Sequence, residues 1–126
     1  MIKKVGLAVI RHKKILLAKK RGLPELILPG GKQEGQETFL KALRRELVEE
    51  TGCLINNLKY AGTFIDKAAG KEEMVQIRLY TGDLKSEPIP KKEIESLFWT
   101  GHATKKKLSP ILKNKIFPHL KKKRLL

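Results

Sequence analysis

Three glutamates within one helical turn are the residues of this sequence that point most directly to chemistry. Glu46, Glu49 and Glu50 lie in the segment RRELVEETGC, residues 44–53. Side chains three and four positions apart share one face of a helix, so these carboxylates repel one another unless a cation lies among them. Magnesium prefers such oxygen ligands, usually a few carboxylates together with water and substrate phosphate. A solvated acidic helix face is the alternative, which the three residues alone do not exclude.

The element that must carry these glutamates is a helix predicted over residues 38–51. Its apolar stripe is Leu40, Leu43 and Leu47, flanked by Phe39 and Val48. Thr38 suits the N-cap, and Gly52 suits a left-handed residue that ends the helix.

The segments around this helix alternate between strand-like and turn-like patterns. Residues 5–21 predict a hairpin that turns at His12 and Lys13, followed by a glycine-rich loop at 26–37. Two strands are predicted at 58–66 and 74–84, and a short strand at 96–100. A last helix is predicted from Ser109 toward Phe117, with a frayed basic tail after it.

The composition predicts one globular domain over residues 1–126 with an anionic partner. The chain has 28 basic and 13 acidic residues, a net charge of +15, and phosphates are the commonest anions to match it. A nucleic-acid reader and an enzyme for a phosphorylated substrate both satisfy this charge. No apolar run reaches the roughly 20 residues of a membrane span, so no membrane partner is expected. The single cysteine, Cys53, fits a reducing cytoplasmic setting.

The spacing of residues 31–53 resembles the Nudix box of the Nudix hydrolase family. That motif is Gly, five residues, Glu, seven residues, Arg-Glu, an aliphatic, any residue, Glu-Glu, any residue, Gly and an aliphatic. The matching residues are Gly31, Glu37, Arg45, Glu46, Glu49, Glu50 and Gly52. Cys53 stands where an aliphatic is usual, and a buried cysteine behaves as a small apolar residue. The preceding LPGGK, residues 28–32, is also typical of the family.

The resemblance implies an α/β fold, an α/β/α sandwich with a mixed sheet between helices, and hydrolysis of a diphosphate linkage. It implies a Mg²⁺ or Mn²⁺ cofactor, with Glu49 and Glu50 as principal ligands and Glu46 as a ligand or water-orienting group. The carbonyl of Gly30 is expected to be a further ligand. Glu37 and Arg45 are expected to form a structural salt bridge, while Gly31 and Gly52 have structural roles in the motif.

The general base and the phosphate-binding residues lie outside the carboxylate helix by the same resemblance. Some family members use a glutamate in the loop before a late strand, which favours Glu93, with Glu95 as the neighbouring candidate. Glu72 and Glu73 are weaker candidates, and an exposed loop acid without function is the alternative for all four. Phosphate contacts are expected from Lys20 or Arg21, with Lys19 beside them, and from Lys32.

The favoured substrate is a nucleoside triphosphate or a modified one, cleaved to the monophosphate and pyrophosphate, because LPGGK resembles the MutT-like branch. Leu108 stands where that branch would place a base-reading asparagine, so oxidised guanine is not implied. Dinucleoside polyphosphates, nucleotide sugars and RNA 5′ ends remain alternatives, and a non-catalytic nucleic-acid-binding module is a further one. The lysines at 105–107 and the basic tail at 120–126 are expected to form solvated basic patches, with RNA contact or phosphate steering as the alternative. A homodimer would match many relatives.

Overall fold

The chain folds into seven strands and two helices, and the computed structural model describes all residues from Met1 to Leu126. The strands are β1 (Ile2–Ala8), β2 (Ile10–Arg11), β3 (Lys14–Lys20), β4 (Gly30–Gly31), β5 (Ile55–Lys67), β6 (Met74–Leu84) and β7 (Ile94–Thr100). The helices are α1 (Phe39–Thr51) and α2 (Phe117–Lys122), and a π-helical turn at Leu112–Ile116 leads directly into α2. None of the helices is both long and apolar enough to cross a membrane.

The strands form two sheets rather than one continuous sheet. The first has the order β4-β1-β6-β5 and is mixed, because β1 runs parallel to β6 and the other neighbours are antiparallel. The second has the order β2-β3-β7 and is antiparallel throughout. The mixed α/β fold class expected from the sequence is confirmed.

Two apolar cores hold the helices against the sheets. In β3, Leu16 belongs to the core beneath α1, while Ile15 and Leu17 belong to the core beneath the C-terminal helical segment. This alternation follows from the pleat of a strand, which points successive side chains to opposite faces. Layers of helix therefore lie on both sides of the strands.

The predicted hairpin and carboxylate helix are both confirmed. His12 and Lys13 have φ angles of 51° and 65°, the pair of left-handed residues that a type I′ turn needs. Thr38 Oγ1 accepts a hydrogen bond from Lys41 N at 3.2 Å, which caps the start of α1. Gly52, with φ 73°, donates its N–H to Val48 O and ends the helix.

The buried face of α1 differs in part from the predicted stripe. Leu43 and Leu47 are fully buried as expected, but Leu40 is 40% exposed because Ala42 takes the inward position instead. Phe39 and Val48 are also exposed. The buried face continues to the polar residues Glu50 and Thr51 at the end of the helix.

The C-terminal region is more ordered than the sequence predicts. Helical turns continue to Lys122, five residues past Phe117, and the π turn precedes Pro118, whose ring would otherwise meet the carbonyl four residues earlier. The tail is not frayed, because Leu126 is only 6% exposed within the core. Lys13 Nζ also donates to Arg124 O at 2.7 Å.

Candidate active site

A glycine turn brings the loop before α1 against strand β1. Gly30 and Gly31 pair with Gly6 and Val5 as the short strand β4. Gly30 has a φ of 142°, and a Cβ there would lie 2.1 Å from Val5 O, so only glycine fits. This close approach positions the loop beside the carboxylate end of α1.

Arg45 binds the same loop through a bidentate ion pair with Glu37. Arg45 Nε lies 2.7 Å from Glu37 Oε2, and Arg45 Nη2 lies 3.0 Å from Glu37 Oε1. Nη2 also donates to Lys32 O at 2.9 Å. The two bonds from Arg45 to the Glu37 carboxylate, together with the bond from the Glu34 N–H, hold the pKa of Glu37 below its ordinary value. The salt bridge expected from the sequence is present and fixes the loop to the helix.

The third Arg45 nitrogen faces two of the three clustered glutamates. Arg45 Nη1 lies 2.9 Å from Glu46 Oε1 and 3.3 Å from Glu49 Oε2. The pKa of Arg45 is raised, chiefly by its bond to Glu37 and further by Glu46. Lys92 Nζ lies 3.6 Å from Glu49 Oε1, so Glu49 is the best neutralised of the three.

Glu50 lies apart from this arginine and is the most buried acid of the site. Its side chain accepts a hydrogen bond from Gly30 N at 2.8 Å, and the residue is 8% exposed. Glu50 has no ion pair with any lysine, arginine or histidine within 4.0 Å. Burial raises its pKa to about 8, with smaller contributions from the charges of Glu46 and Glu93.

Glu46 completes the acidic end of the helix by lying against Gly31. A Cβ on Gly31 would come within 2.5 Å of the Glu46 carboxylate, so the absence of a side chain makes room for it. Burial raises the pKa of Glu46, and its bond to Arg45 opposes that change. The half-buried Glu46 and the buried Glu50 therefore both lie against the glycine turn.

The donor set at this turn fits a hard divalent cation. Oxygen ligands suit Mg²⁺ and Mn²⁺, and Glu50 forms no ion pair with a basic side chain that would compete with a cation. No three acidic, histidine or cysteine side chains converge as a preformed cage. Mg²⁺ sites commonly use only one or two carboxylates and leave the remaining positions to water and phosphate.

The loop before β7 brings Glu93 toward the same carboxylates. Lys91 N donates to Glu50 O at 3.0 Å, and Arg21 N donates to Glu93 O at 2.8 Å. The Glu93 carboxylate lies 3.8 Å from Lys20 Nζ, and its charge raises the pKa of Glu50.

The other candidate acids have different surroundings. Glu95 lies 3.9 Å from Lys19 Nζ, and its charge is not among those that shift the pKa of Glu50. Glu72 pairs with Lys67 in the connection between β5 and β6, while Glu73 is exposed there. Of the four loop acids, Glu93 is therefore the one that the structure associates with Glu50.

A cleft of about 220 Å³ opens beside the glycine turn. Its lining includes Gly30, Gly31 and the predicted phosphate-binding residues Lys20 and Arg21. Lys32 does not line it. The remaining lining is largely apolar: Ile2, Val5, Leu23, Ile27, Leu28, Val75, Ile77, Ile111 and Leu112. The cleft thus combines a basic, carboxylate-flanked mouth with an apolar interior.

Lys4 and Lys71 also line the cleft and were missed by sequence reasoning. Lys4 is half-buried, and burial lowers its pKa, followed by the charges of Lys20, Lys71 and Lys32. The signal for Lys4 was its position in β1, since it shares an inward face with residues 2 and 6. No local sequence pattern pointed to Lys71, because it lies in the polar connection between β5 and β6.

Comparisons with known proteins agree with this geometry. A family model described as NUDIX domain matches residues 2–119. A Bacillus subtilis (strain 168) protein, YtkD, provisionally named an 8-oxo-dGTP diphosphatase, is 40% identical over 57 residues. That match covers 45% of this chain and 35% of YtkD, so this chain aligns with about a third of the relative.

Two solved structures have the same fold. The MutT NUDIX hydrolase from Burkholderia pseudomallei has a TM-score of 0.78 and 24% identity, covering 89% of this chain and 92% of that chain. The Bacillus subtilis pyrophosphohydrolase BsRppH has a TM-score of 0.73 and 27% identity, covering 98% and 81%. With the family model spanning nearly all of its residues, the chain belongs to the Nudix hydrolase family.

Proposed function

We propose that this Nudix protein is a pyrophosphohydrolase that cleaves a nucleoside triphosphate, or a modified one, to the monophosphate and pyrophosphate. The observation that carries the proposal is the position of Glu50 and Glu46 against the successive glycines Gly30 and Gly31, which line a cleft that also contains basic residues. The apolar interior is suited to a nucleobase, and the basic mouth is suited to a polyphosphate.

Glu46, Glu49 and Glu50, with the carbonyl of Gly30, would hold Mg²⁺ or Mn²⁺. When bound, the cation would offset the phosphate charge and lower the pKa of the attacking water. Glu50 is buried and unpaired, so its charge is the one most dependent on a cation. Arg45 keeps the carboxylate end of α1 and the glycine loop in one arrangement.

The remaining chemistry is proton transfer and positioning. We assign Glu93 as the general base that takes the proton from the attacking water. The water oxygen bonds to one phosphorus of the α–β linkage, and the bridging oxygen leaves with the other phosphoryl product. Lys4, Lys20 and Arg21 would hold the phosphates in place. The attacking water and the leaving oxygen would then stay in line at the phosphorus.

The substrate class can be decided by product analysis on a panel of nucleotides. The purified protein is incubated with Mg²⁺ and with dNTPs, oxidised dGTP, diadenosine polyphosphates, ADP-ribose and 5′-triphosphorylated RNA. We expect triphosphates to release pyrophosphate rather than phosphate. No turnover of any member with Mg²⁺ or Mn²⁺, by protein that melts cooperatively, would exclude the enzymatic proposal.

An RNA 5′ end is the second candidate substrate. It is supported by the lysine excess of the chain, which suits a polyanionic substrate. A kcat/KM for triphosphorylated RNA at least about tenfold above that for free nucleotides would favour it. Similar kcat/KM values for triphosphorylated RNA and for free nucleotides would favour the nucleoside triphosphate.

A further inference from the structure

A second concave surface, the basic groove, lies between the loop before the C-terminal helical segment and that segment itself. Its volume is about 960 Å³. It is lined by His102, Thr104, Lys105, Lys106, Lys107, Leu108, Pro110, Lys113, Asn114, Phe117, Pro118 and Lys121. The lining contains five lysines and no acidic residue, so the groove concentrates positive charge. One carboxylate, that of Asp66, contacts the lining, where its Oδ2 accepts a hydrogen bond from Asn114 Nδ2 at 3.1 Å.

The lysines of the basic groove are free of ion pairs. Every acidic side chain that lies within 4.0 Å of a basic one pairs with a residue outside the groove. Lys106 instead places its Nζ 4.2 Å from the centre of the Phe98 ring. Like charges brought together in this way repel one another, and a bound polyanion would relieve the repulsion.

The basic groove shares a wall with the active-site cleft. Lys107, Leu108 and Pro110 line the groove, while Ser109 and Ile111 line the cleft. Backbone bonds hold this wall in place, because Leu26 N donates to Lys107 O at 2.8 Å and Ser109 N donates to Leu26 O at 3.0 Å. The two basic concave surfaces therefore lie on opposite sides of one segment.

We propose that the basic groove binds the sugar–phosphate backbone of a single-stranded nucleic acid. Such a strand carries evenly repeated charges, which match lysines spread over the loop, the π turn and α2. The buried ring of Phe117 and the half-exposed proline Pro110 add apolar surface at the base of the groove. A membrane would contact this concave surface less well, because its anionic headgroups lie in a plane and do not follow the shape of a groove.

The test uses a labelled single-stranded RNA of about a dozen nucleotides with a 5′-hydroxyl end, measured without divalent cations. This probe has no diphosphate linkage, so its binding does not depend on the proposed hydrolysis. The groove variant replaces Lys105, Lys113 and Lys121 with glutamine. The matched control replaces Lys41, Lys59 and Lys85, three exposed lysines outside both concave surfaces, and lowers the net charge equally.

We expect the groove variant to weaken binding at least about tenfold and to reduce the salt slope by about two, since each phosphate contact on a single strand contributes about 0.7. The control should change the dissociation constant less than about threefold. Equal weakening in both variants, or no binding by the wild type at low salt, would overturn the proposal. If the groove variant lost binding to anionic vesicles but kept its affinity for RNA, the partner would be a membrane and the proposal would be overturned.

Discussion

The side chain of Glu50 accepts a hydrogen bond from the backbone N–H of Gly30 at 2.8 Å, joining residues that are twenty positions apart in the chain. This bond joins a buried acid at the end of α1 to the glycine turn. Because burial without an ion pair raises the pKa of Glu50 to about 8, the metal-free protein holds this group largely protonated at neutral pH. The stability and the metal affinity of the site should therefore depend on pH.

The first prediction concerns the pH dependence of stability without metal. The folded-state pKa of Glu50, about 8, exceeds its ordinary value of 4.5, so the folded state binds the extra proton between these values. The stability from this proton is fully present below pH 4.5 and is lost as the pH rises to about 8. Melting temperatures in EDTA should fall more steeply over this window for the wild type than for Glu50→Gln.

Added Mg²⁺ should raise the melting temperature most at the alkaline end of that window, because the cation requires the deprotonated carboxylate. Parallel pH profiles for the wild type and Glu50→Gln, with and without Mg²⁺, would contradict the pKa assignment.

A second prediction concerns Gly31→Ala. The added Cβ would meet the Glu46 carboxylate at 2.5 Å, and because that side chain is flexible, the carboxylate should move while the backbone remains in place. We expect turnover and Mg²⁺ affinity to fall at least about tenfold, as for changes that misorient a metal ligand. Gly101→Ala is the matched control, since a Cβ there meets nothing within 4 Å. Unchanged activity in Gly31→Ala would show that the Glu46 position is not needed.

Lys4→Met should separate substrate binding from stability. Loss of a charged phosphate contact should raise KM at least about tenfold with a smaller change in kcat. The melting temperature should rise, because the half-buried ammonium has no acidic partner and its burial is unfavourable. Lys3→Met, on the exposed face of the same strand, is the control. A lower melting temperature with unchanged KM would assign Lys4 a structural role.

The assignment of Glu93 as general base predicts a loss of kcat without a comparable change in KM. Glu93→Gln should lower kcat by about a hundredfold or more. Glu95→Gln is the matched control, because it also removes one loop carboxylate that is paired with a lysine. Glu95 lies 3.9 Å from Lys19 Nζ, and Glu93 lies 3.8 Å from Lys20 Nζ. Equal effects of both changes would indicate general electrostatics rather than a base.

Features set by neighbouring residues could be predicted from the sequence. The turn at His12 and Lys13 and the caps of α1 at Thr38 and Gly52 depend on a few adjacent positions, and the structure has all of them. The Glu37–Arg45 ion pair could be predicted because the spacing of the two residues matches the Nudix box. The roles assigned to the metal-binding glutamates and to Glu93 stay predictions.

Features set by distant strand pairing could not be predicted. Alternation along β1 puts Lys4 on the same face as residues 2 and 6, but its place in the cleft also depends on the parallel pairing of β1 with β6. Lys4 lies opposite Ile77 in that pairing, and no local pattern specifies the register. Leu40 is exposed because the helix rotates to bury Ala42 instead, a choice made by packing. The docking of Leu126 and the shared wall of the two concave surfaces likewise depend on residues far apart in sequence.

The measurement that tests the central claim most directly is Mg²⁺-dependent pyrophosphate release from nucleoside triphosphates by the wild type, Glu50→Gln and Glu72→Gln. Glu72 is an exposed acid that does not line the cleft, so it controls for the loss of one negative charge. We predict saturable Mg²⁺-dependent turnover that falls at least about a hundredfold in Glu50→Gln and is unchanged in Glu72→Gln. Turnover that persists in Glu50→Gln at the same Mg²⁺ concentration would contradict the account.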